Sequence, residues 1–577
     1  MTARALILSS GDELPSRERI WGTGGWIPPE QREALDWLTL LRMLGWESSV
    51  AGSQAELEPA SVNGLRWVIL GCDPDSLAED TVALLERWLL EEPILIVGRA
   101  PSRDAPLARL VGAARGPDPI AGGEIRWLGP GHGQAWQCRR PLEGTGLEVE
   151  GDAAVWATLA GRPLIAGRRV GRGAVAALGF HPSQARDTDG AATALLRQLL
   201  TSAAVGPVAW FDLEGSLVLR MDDPGGAQNV FSRSWSYPKL EEAAWRAIGA
   251  DLAERKGRIS LAYVAGWVDD GDPKRGVLKV SGSVPERAPG RIHPSPCVVY
   301  EDLAGHAPGT VHDYTSEFRG IQALRRAGLA EVELHGYTHL HPDRAAWAGA
   351  GDRYEAKGWY REFGHRAAAA LASIPISEHP LALGIAALRR HFGVNLTTLV
   401  PPGDEWTNEV LASALDLGLQ LVDSYYLAIR HQDRFCWTTH VCAPYLDLAD
   451  SSWFDAGLPV VGYFHDREPA LEGVGWLTEW LDRWQTAGAR RLLDFRELAS
   501  TVGRHLHVEN RQGGMQLRIT SDGAPRPVRP IPVSVRVPDG RLPSRLSVSF
   551  EGRDLSLEVE PLQREVGRVW LPLDSES

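Results

Sequence analysis

Two histidines four positions apart, His335 and His339, follow directly on the apolar run Val332-Glu-Leu. On a helical turn that spacing would place both imidazoles on one face, as two ligands of one metal ion require. Two neighbouring carboxylates, Asp222-Asp223, follow another apolar run, Ser216-Leu-Val-Leu-Arg-Met. A carboxylate from this pair would complete a His₂Asp set that leaves coordination positions open for water. A further imidazole, His465, closes the run Val460-Val-Gly-Tyr-Phe.

These residues lie far apart in sequence, so some element must gather them. In the middle region six strand-like runs end in polar groups: Asp222-Asp223, Asp269-Asp270, Glu301-Asp302, His335 to His339, Asp423-Ser424 and His465-Asp466. Strands alternate there with helical segments. In a closed parallel barrel the C-terminal strand ends converge on one face, where the active sites of such barrels lie.

The same residues resemble the polysaccharide deacetylases, the NodB-homology carbohydrate esterases. Leu219-Arg-Met-Asp222-Asp223 is similar to the family's first motif, and His335-Gly-Tyr-Thr-His339 to the second. Val400-Pro-Pro-Gly403 resembles the third, Asp423-Ser424 the fourth and Tyr463-Phe-His465-Asp466 the fifth. All five run in the family's order within the middle region. The resemblance implies a distorted (β/α)₇ barrel and removal of N-acetyl groups from an amino sugar, an N-acetylhexosamine oligosaccharide or a polysaccharide. It implies that Asp223, His335 and His339 hold a divalent metal, usually Zn²⁺. Asp222 would be the general base and His465 the general acid. Asp423 is the candidate to orient His465, with Asp466 competing for that role. His341 is either a third nitrogen ligand or a turn residue. The family's third motif usually carries an arginine against the base, where this chain has Val400; Arg220 is the candidate replacement. Two other readings stay open: a carbohydrate-binding protein without turnover, and a metal-dependent amidohydrolase for a small non-sugar amide.

A chain of 577 residues exceeds one hydrophobic core. Residues 1–207 alternate strands and helices. The stretch from Gly167 to Pro182 resembles the end of a class I glutamine amidotransferase-like domain, which implies a flavodoxin-like parallel sheet. Cys72 lacks the glycine-flanked turn of a nucleophile in that family, and Pro182 follows His181, so the domain reads as non-catalytic. Residues 208–500 form the barrel region. Residues 501–577 alternate with period two between Gly, Pro and Asp, the pattern of a small antiparallel β-sandwich. His312-Asp313-Tyr314 and Tyr354–Tyr360 are candidates for substrate loops.

Net charge is −14, which argues against a nucleic-acid or anionic-membrane partner. The resemblance implies an acetylated carbohydrate as the partner. The five cysteines form no CxxC pair; Cys436 and Cys442 are the one pair close enough for a local bridge, and buried thiols fit better. The apolar stretch at the N-terminus is about five residues, short of the roughly 7–15 of a secretory signal core. It reads as a first core strand in a cytoplasmic protein, with a secreted chain already stripped of its signal as the runner-up.

Overall fold

The computed structural model describes residues 4–9, 29–57, 62, 64–131, 133–186, 190–232, 235–343, 359–424, 426–432, 434–438, 450–511, 514–521, 523–538 and 542–573. Cys442 and positions 354–358 of the expected substrate loop lie outside them.

The N-terminal region is built on a nine-stranded sheet. Five strands are parallel, in the order Glu47–Ala51, Arg4–Ser9, Leu65–Gly71, Leu95–Arg99 and Gly173–Leu178. Most are apolar and buried on both faces, as strands covered by helices on each side must be. The wholly parallel sheet expected from sequence is corrected here. Arg162–Val170, Ala154–Leu159, Ala113–Trp127 and Gln134–Val149 extend the sheet in antiparallel pairing. The last two form a long hairpin with bulges between Arg115 and Pro119 and between Gly122 and Glu124, and much of it is exposed.

The middle region contains seven parallel strands, labelled here in chain order: β1 (Ser216–Asp222), β2 (Ile259–Tyr263), β3 (Ala330–Leu334), β4 (Thr398–Leu399), β5 (Leu421–Asp423), β6 (Val460–His465) and β7 (Arg491–Leu493). Their order is β5-β4-β3-β2-β1-β6, and β7 pairs with the first half of β1. An antiparallel hairpin, Leu427–His431 with Arg434–Thr438, extends the sheet beyond β5. Among the described residues no ladder joins that hairpin to β6, so the sheet forms part of a barrel rather than a closed ring. The apolar side chains of β1, Leu217, Val218, Leu219 and Met221, are fully buried.

One expected barrel strand lies elsewhere. Val298–Asp302 sits between Gly276–Val280 and Val311–Asp313 in a separate antiparallel sheet, so Glu301 and Asp302 leave the strand-end cluster. Asp269 also stays outside it. Its carboxylate accepts from Gly271 N, Ala288 N and Arg287 Nε, which makes it a turn residue.

The C-terminal region holds two four-stranded sheets. One includes Val208–Phe211, which pairs antiparallel with Ile531–Arg536. The other contains a parallel pair, Gly514–Ser521 with Arg545–Phe550, so the strands are not uniformly antiparallel as the alternation predicted. A single buried apolar cluster runs from Ile7 and Trp67 through Leu219 and Val332 to Val533 and Val548. No helix among the described residues is long and apolar enough to cross a membrane.

Candidate metal centre

Successive side chains on a strand point to opposite faces. Arg220 and Asp222 on β1 therefore share a face, and Asp223 would point away if the strand continued. It does not continue: Asp223 has φ of 78°, a left-handed conformation that Asp tolerates better than most residues. That reversal lets both carboxylates line one cavity together with His335, His339 and His465.

His335 and His339 meet without the helical turn that their spacing predicts. The chain from His335 to Leu340 is irregular, and both Gly336 and His339 have positive φ, 76° and 61°. Even so, the two rings are 4.7 Å apart. The buried carboxylate of Glu362 holds this loop. It accepts from the backbone N–H groups of Tyr337, Thr338 and His339 and from the Thr338 hydroxyl. A side chain at Gly336 would collide with that carboxylate. Burial pushes Glu362 up to about 7, against the N–H donors that favour its charge. Glu362→Ala is expected to weaken metal affinity about 10- to 100-fold, the range for losing a residue that orients a ligand. Titration against a chelator of known affinity measures it.

Asp223 Oδ1 stands 3.3 Å from His335 Nε2 and 3.4 Å from His339 Nε2. Two ligand atoms each about 2.0–2.1 Å from one tetrahedral ion would stand about 3.3–3.4 Å apart. All three ligand atoms lie within 4.8 Å of one another, and all three side chains are buried. His335 Nδ1 donates to the Val400 carbonyl at 2.9 Å. Burial opposes its charge, but Asp222 and Asp223 hold His335 above the ordinary imidazole range, so Nε2 carries a proton toward Asp223 that it must give up to ligate a cation. Burial, reinforced by the His335 charge, pushes His339 down to about 4, so its imidazole is neutral near pH 7. Burial opposes ionisation of Asp223, but the His335 hydrogen bond and the surrounding imidazoles hold it well below the usual carboxylate range. Trp235 Nε1 donates to Asp223 Oδ2 at 2.8 Å and fixes the carboxylate plane. The donor set fits a divalent cation of the Zn²⁺ type.

Asp222 faces Arg220. The guanidinium meets both carboxylate oxygens, through Nε to Oδ1 at 2.7 Å and through Nη2 to Oδ2. Arg220 thus supplies Asp222 with a positive charge that Val400 cannot. The same guanidinium binds Asp423 Oδ2 at 3.0 Å and lies 3.6 Å from Asp404 Oδ1. This corrects the role expected for Asp423. It is wholly buried and serves Arg220; it ends β5, five positions along the sheet from β6. Asp466 is likewise committed elsewhere, to the Tyr237 hydroxyl at 2.6 Å and to Lys239. The carboxylate beside His465 Nδ1 is Glu468, at 3.8 Å; it also accepts from His465 N.

His465 lines the cavity with the edge of its ring on Trp235, centroids 4.9 Å apart. His341 is a turn residue whose Nδ1 accepts from Asp343 N. His312 and Tyr314 do not line the cavity; they buttress Asn229 from behind. Tyr360, at the end of the expected substrate loop, does line it and stacks on His339. Sequence reasoning missed Glu362, Trp235, Gln228 and Glu468. Only Glu468 left a signal, as an acid three residues after a strand-end histidine.

In the N-terminal region burial pushes the Cys72 thiol up to about 12, with Glu33 adding to the effect. Such a thiol stays protonated at neutral pH and is a poor nucleophile.

No protein-family model and no curated protein matches this sequence. Among solved structures, the chain is similar to an exo-β-1,4-mannosidase from Opitutaceae bacterium strain TAV5, with 17% identity and a TM-score of 0.24. That match covers 35% of this chain and 36% of the other. A β-galactosidase from Bacillus circulans sp. alkalophilus gives 13% identity over 31% of this chain and 28% of its own, with a TM-score of 0.23. A CE4 family pseudoenzyme from Bacillus anthracis gives 9% identity over 50% and 66%, with a TM-score of 0.25. The chain thus spans about a third of the length of the glycosidases it matches.

Proposed function

We propose that the chain is a metal-dependent hydrolase that removes N-acetyl groups from an amino sugar, free or within an oligosaccharide or polysaccharide. One observation carries this reading: Asp223, His335 and His339 converge at ligand spacing in a cavity that Asp222 and His465 also line. The motif order seen in the sequence supports the same assignment.

Asp223, His335 and His339 would hold the cation. When bound, it would polarise the acyl carbonyl and make water acidic enough to attack near neutral pH. Asp222 would take the proton of the attacking water, with Arg220 as its counter-charge. His465 would return a proton to the departing nitrogen, so that the amine leaves neutral. Glu468 and Trp235 restrict the ring of His465 so that it faces the cavity.

The test is metal analysis of the purified protein, followed by acetate release from N,N′-diacetylchitobiose with and without chelator. Stoichiometric metal and chelator-sensitive release are expected; absence of metal would overturn the reading. His465→Ala is expected to keep its metal while kcat falls about 10²- to 10⁴-fold, the usual range for a general acid. Metal content and kcat measured on the same preparation check it.

A further inference from the structure

Gln228 is 3% exposed and lines the cavity beside Asp223 and Trp235. Neither its Oε1 nor its Nε2 has a hydrogen-bond partner among the described residues. A buried amide left without partners costs about 1–3 kcal/mol for each unsatisfied group, and natural interiors keep few of them. The surroundings make room for this one. Gly226 sits beneath it, and a Cβ there would collide with the Gln228 amide. Tyr314 and Tyr237 O, with Asn229 between them, hold the short helix Gln228–Phe231 from behind. The amide is therefore placed by its neighbours without being used by them.

A side-chain amide offers one acceptor and two donors on a single planar edge. The ligand that satisfies it must present a donor and an acceptor side by side. A secondary amide in its trans form cannot, because its N–H and C=O point in opposite directions. Two adjacent hydroxyls on a sugar ring can, since each both donates and accepts. The cavity also presents aromatic rings from Trp235, Trp359 and Tyr360, and the C–H faces of a sugar pack well on such rings.

We infer that Gln228 is a specificity-determining residue that grips a pair of adjacent ring hydroxyls of the substrate. The inference deepens the reading of this cavity as a deacetylase site and rests on it. Gln228 takes no part in bond breaking. It decides which acylated amines are held over the metal.

The test uses the full chain loaded with Zn²⁺, as wild type, Gln228→Leu and Gln228→Asn. Leu keeps the volume and removes both polar atoms, so folding is preserved; metal content and circular dichroism verify this. Two N-acetyl compounds are compared, N,N′-diacetylchitobiose and N-cyclohexylacetamide, which has no hydroxyls. For Gln228→Leu, kcat/KM on the sugar is expected to fall about 10- to 100-fold, as for two lost hydrogen bonds. On N-cyclohexylacetamide the loss is expected to be at least about fivefold smaller than on the sugar, since that ring has no hydroxyls for the amide to hold. Calorimetric binding of diacetylchitobiose should weaken by a similar factor, with Gln228→Asn in between. Equal loss on both compounds, or unchanged sugar binding in Gln228→Leu, would overturn the inference. Wild type that hydrolyses the cyclohexyl amide but does not bind the sugar would overturn it while sparing the hydrolase. Wild type that binds the sugar through Gln228 without releasing acetate would do the reverse.

Discussion

With Asp223, His335 and His339 as the proposed ligands, Asp223→Asn is expected to prevent binding of a divalent cation and any acetate release that depends on it. The substitution keeps shape and suits the left-handed φ of 78°, because Asn adopts that conformation readily. It removes the negative charge that faces both His335 Nε2 and His339 Nε2. Losing an outer partner of a ligand weakens metal binding about 10- to 100-fold, so losing a ligand's own charge should exceed that range, to about 10³-fold or more. Circular dichroism should be unchanged while metal content, measured after gel filtration, falls to background. A variant that retains stoichiometric metal and wild-type turnover would remove the centre from this position.

Arg220→Met is expected to be the most destabilising single change in the middle region. Arg220 is 1% exposed and faces Asp222, Asp423 and Asp404. The three carboxylates hold its guanidinium well above the ordinary arginine range in spite of burial. Removing one partner of a buried ion pair typically costs about 3–5 kcal/mol, since the remaining charges stay desolvated. Here two or three carboxylates would be stranded together, so the upper end is expected. Urea unfolding followed by tryptophan fluorescence measures the loss. The double variant Arg220→Met with Asp423→Asn should recover part of it, because one stranded charge is gone. If the single variant is as stable as wild type, the guanidinium does not bind this cluster.

Much of the site was legible because a parallel strand delivers its C-terminal residues to one face of the sheet. β1, β3, β5 and β6 each announced themselves as an apolar run closed by a polar residue, and the structure places all four in one sheet. The local geometry was not legible. HxxxH was read as a helical turn, whereas the loop uses positive φ at Gly336 and His339, anchored by a glutamate some twenty residues downstream. Nothing in the spacing marks Glu362, since an acceptor for three backbone N–H groups is chosen by tertiary position alone. Asp423 was misjudged for a related reason. Motif order orders residues along the chain but leaves open which side of β1 a neighbour occupies, and Asp423 lies on the Arg220 side. Arg220 itself was recoverable, because two residues apart on a strand means one face. The long hairpin of the N-terminal sheet was hidden in large part by its own exposure. In Ala113–Trp127, Gly and Pro interrupt a half-solvated strand and imitate a loop.

The strand Val208–Phe211 has a bearing on how the molecule is made. Its ladder partner, Ile531–Arg536, leaves the ribosome roughly 320 residues later, and at about 5–20 residues per second that delay is about 15–60 s. Throughout translation of the intervening residues, Val-Ala-Trp-Phe waits without its strand partner. In the folded chain Leu44 O accepts from Phe211 N and Ala209 O accepts from Trp46 Nε1, and both of these partners precede the strand. A strand touched by residues that precede it thus meets its ladder partner only after some 320 further residues are made.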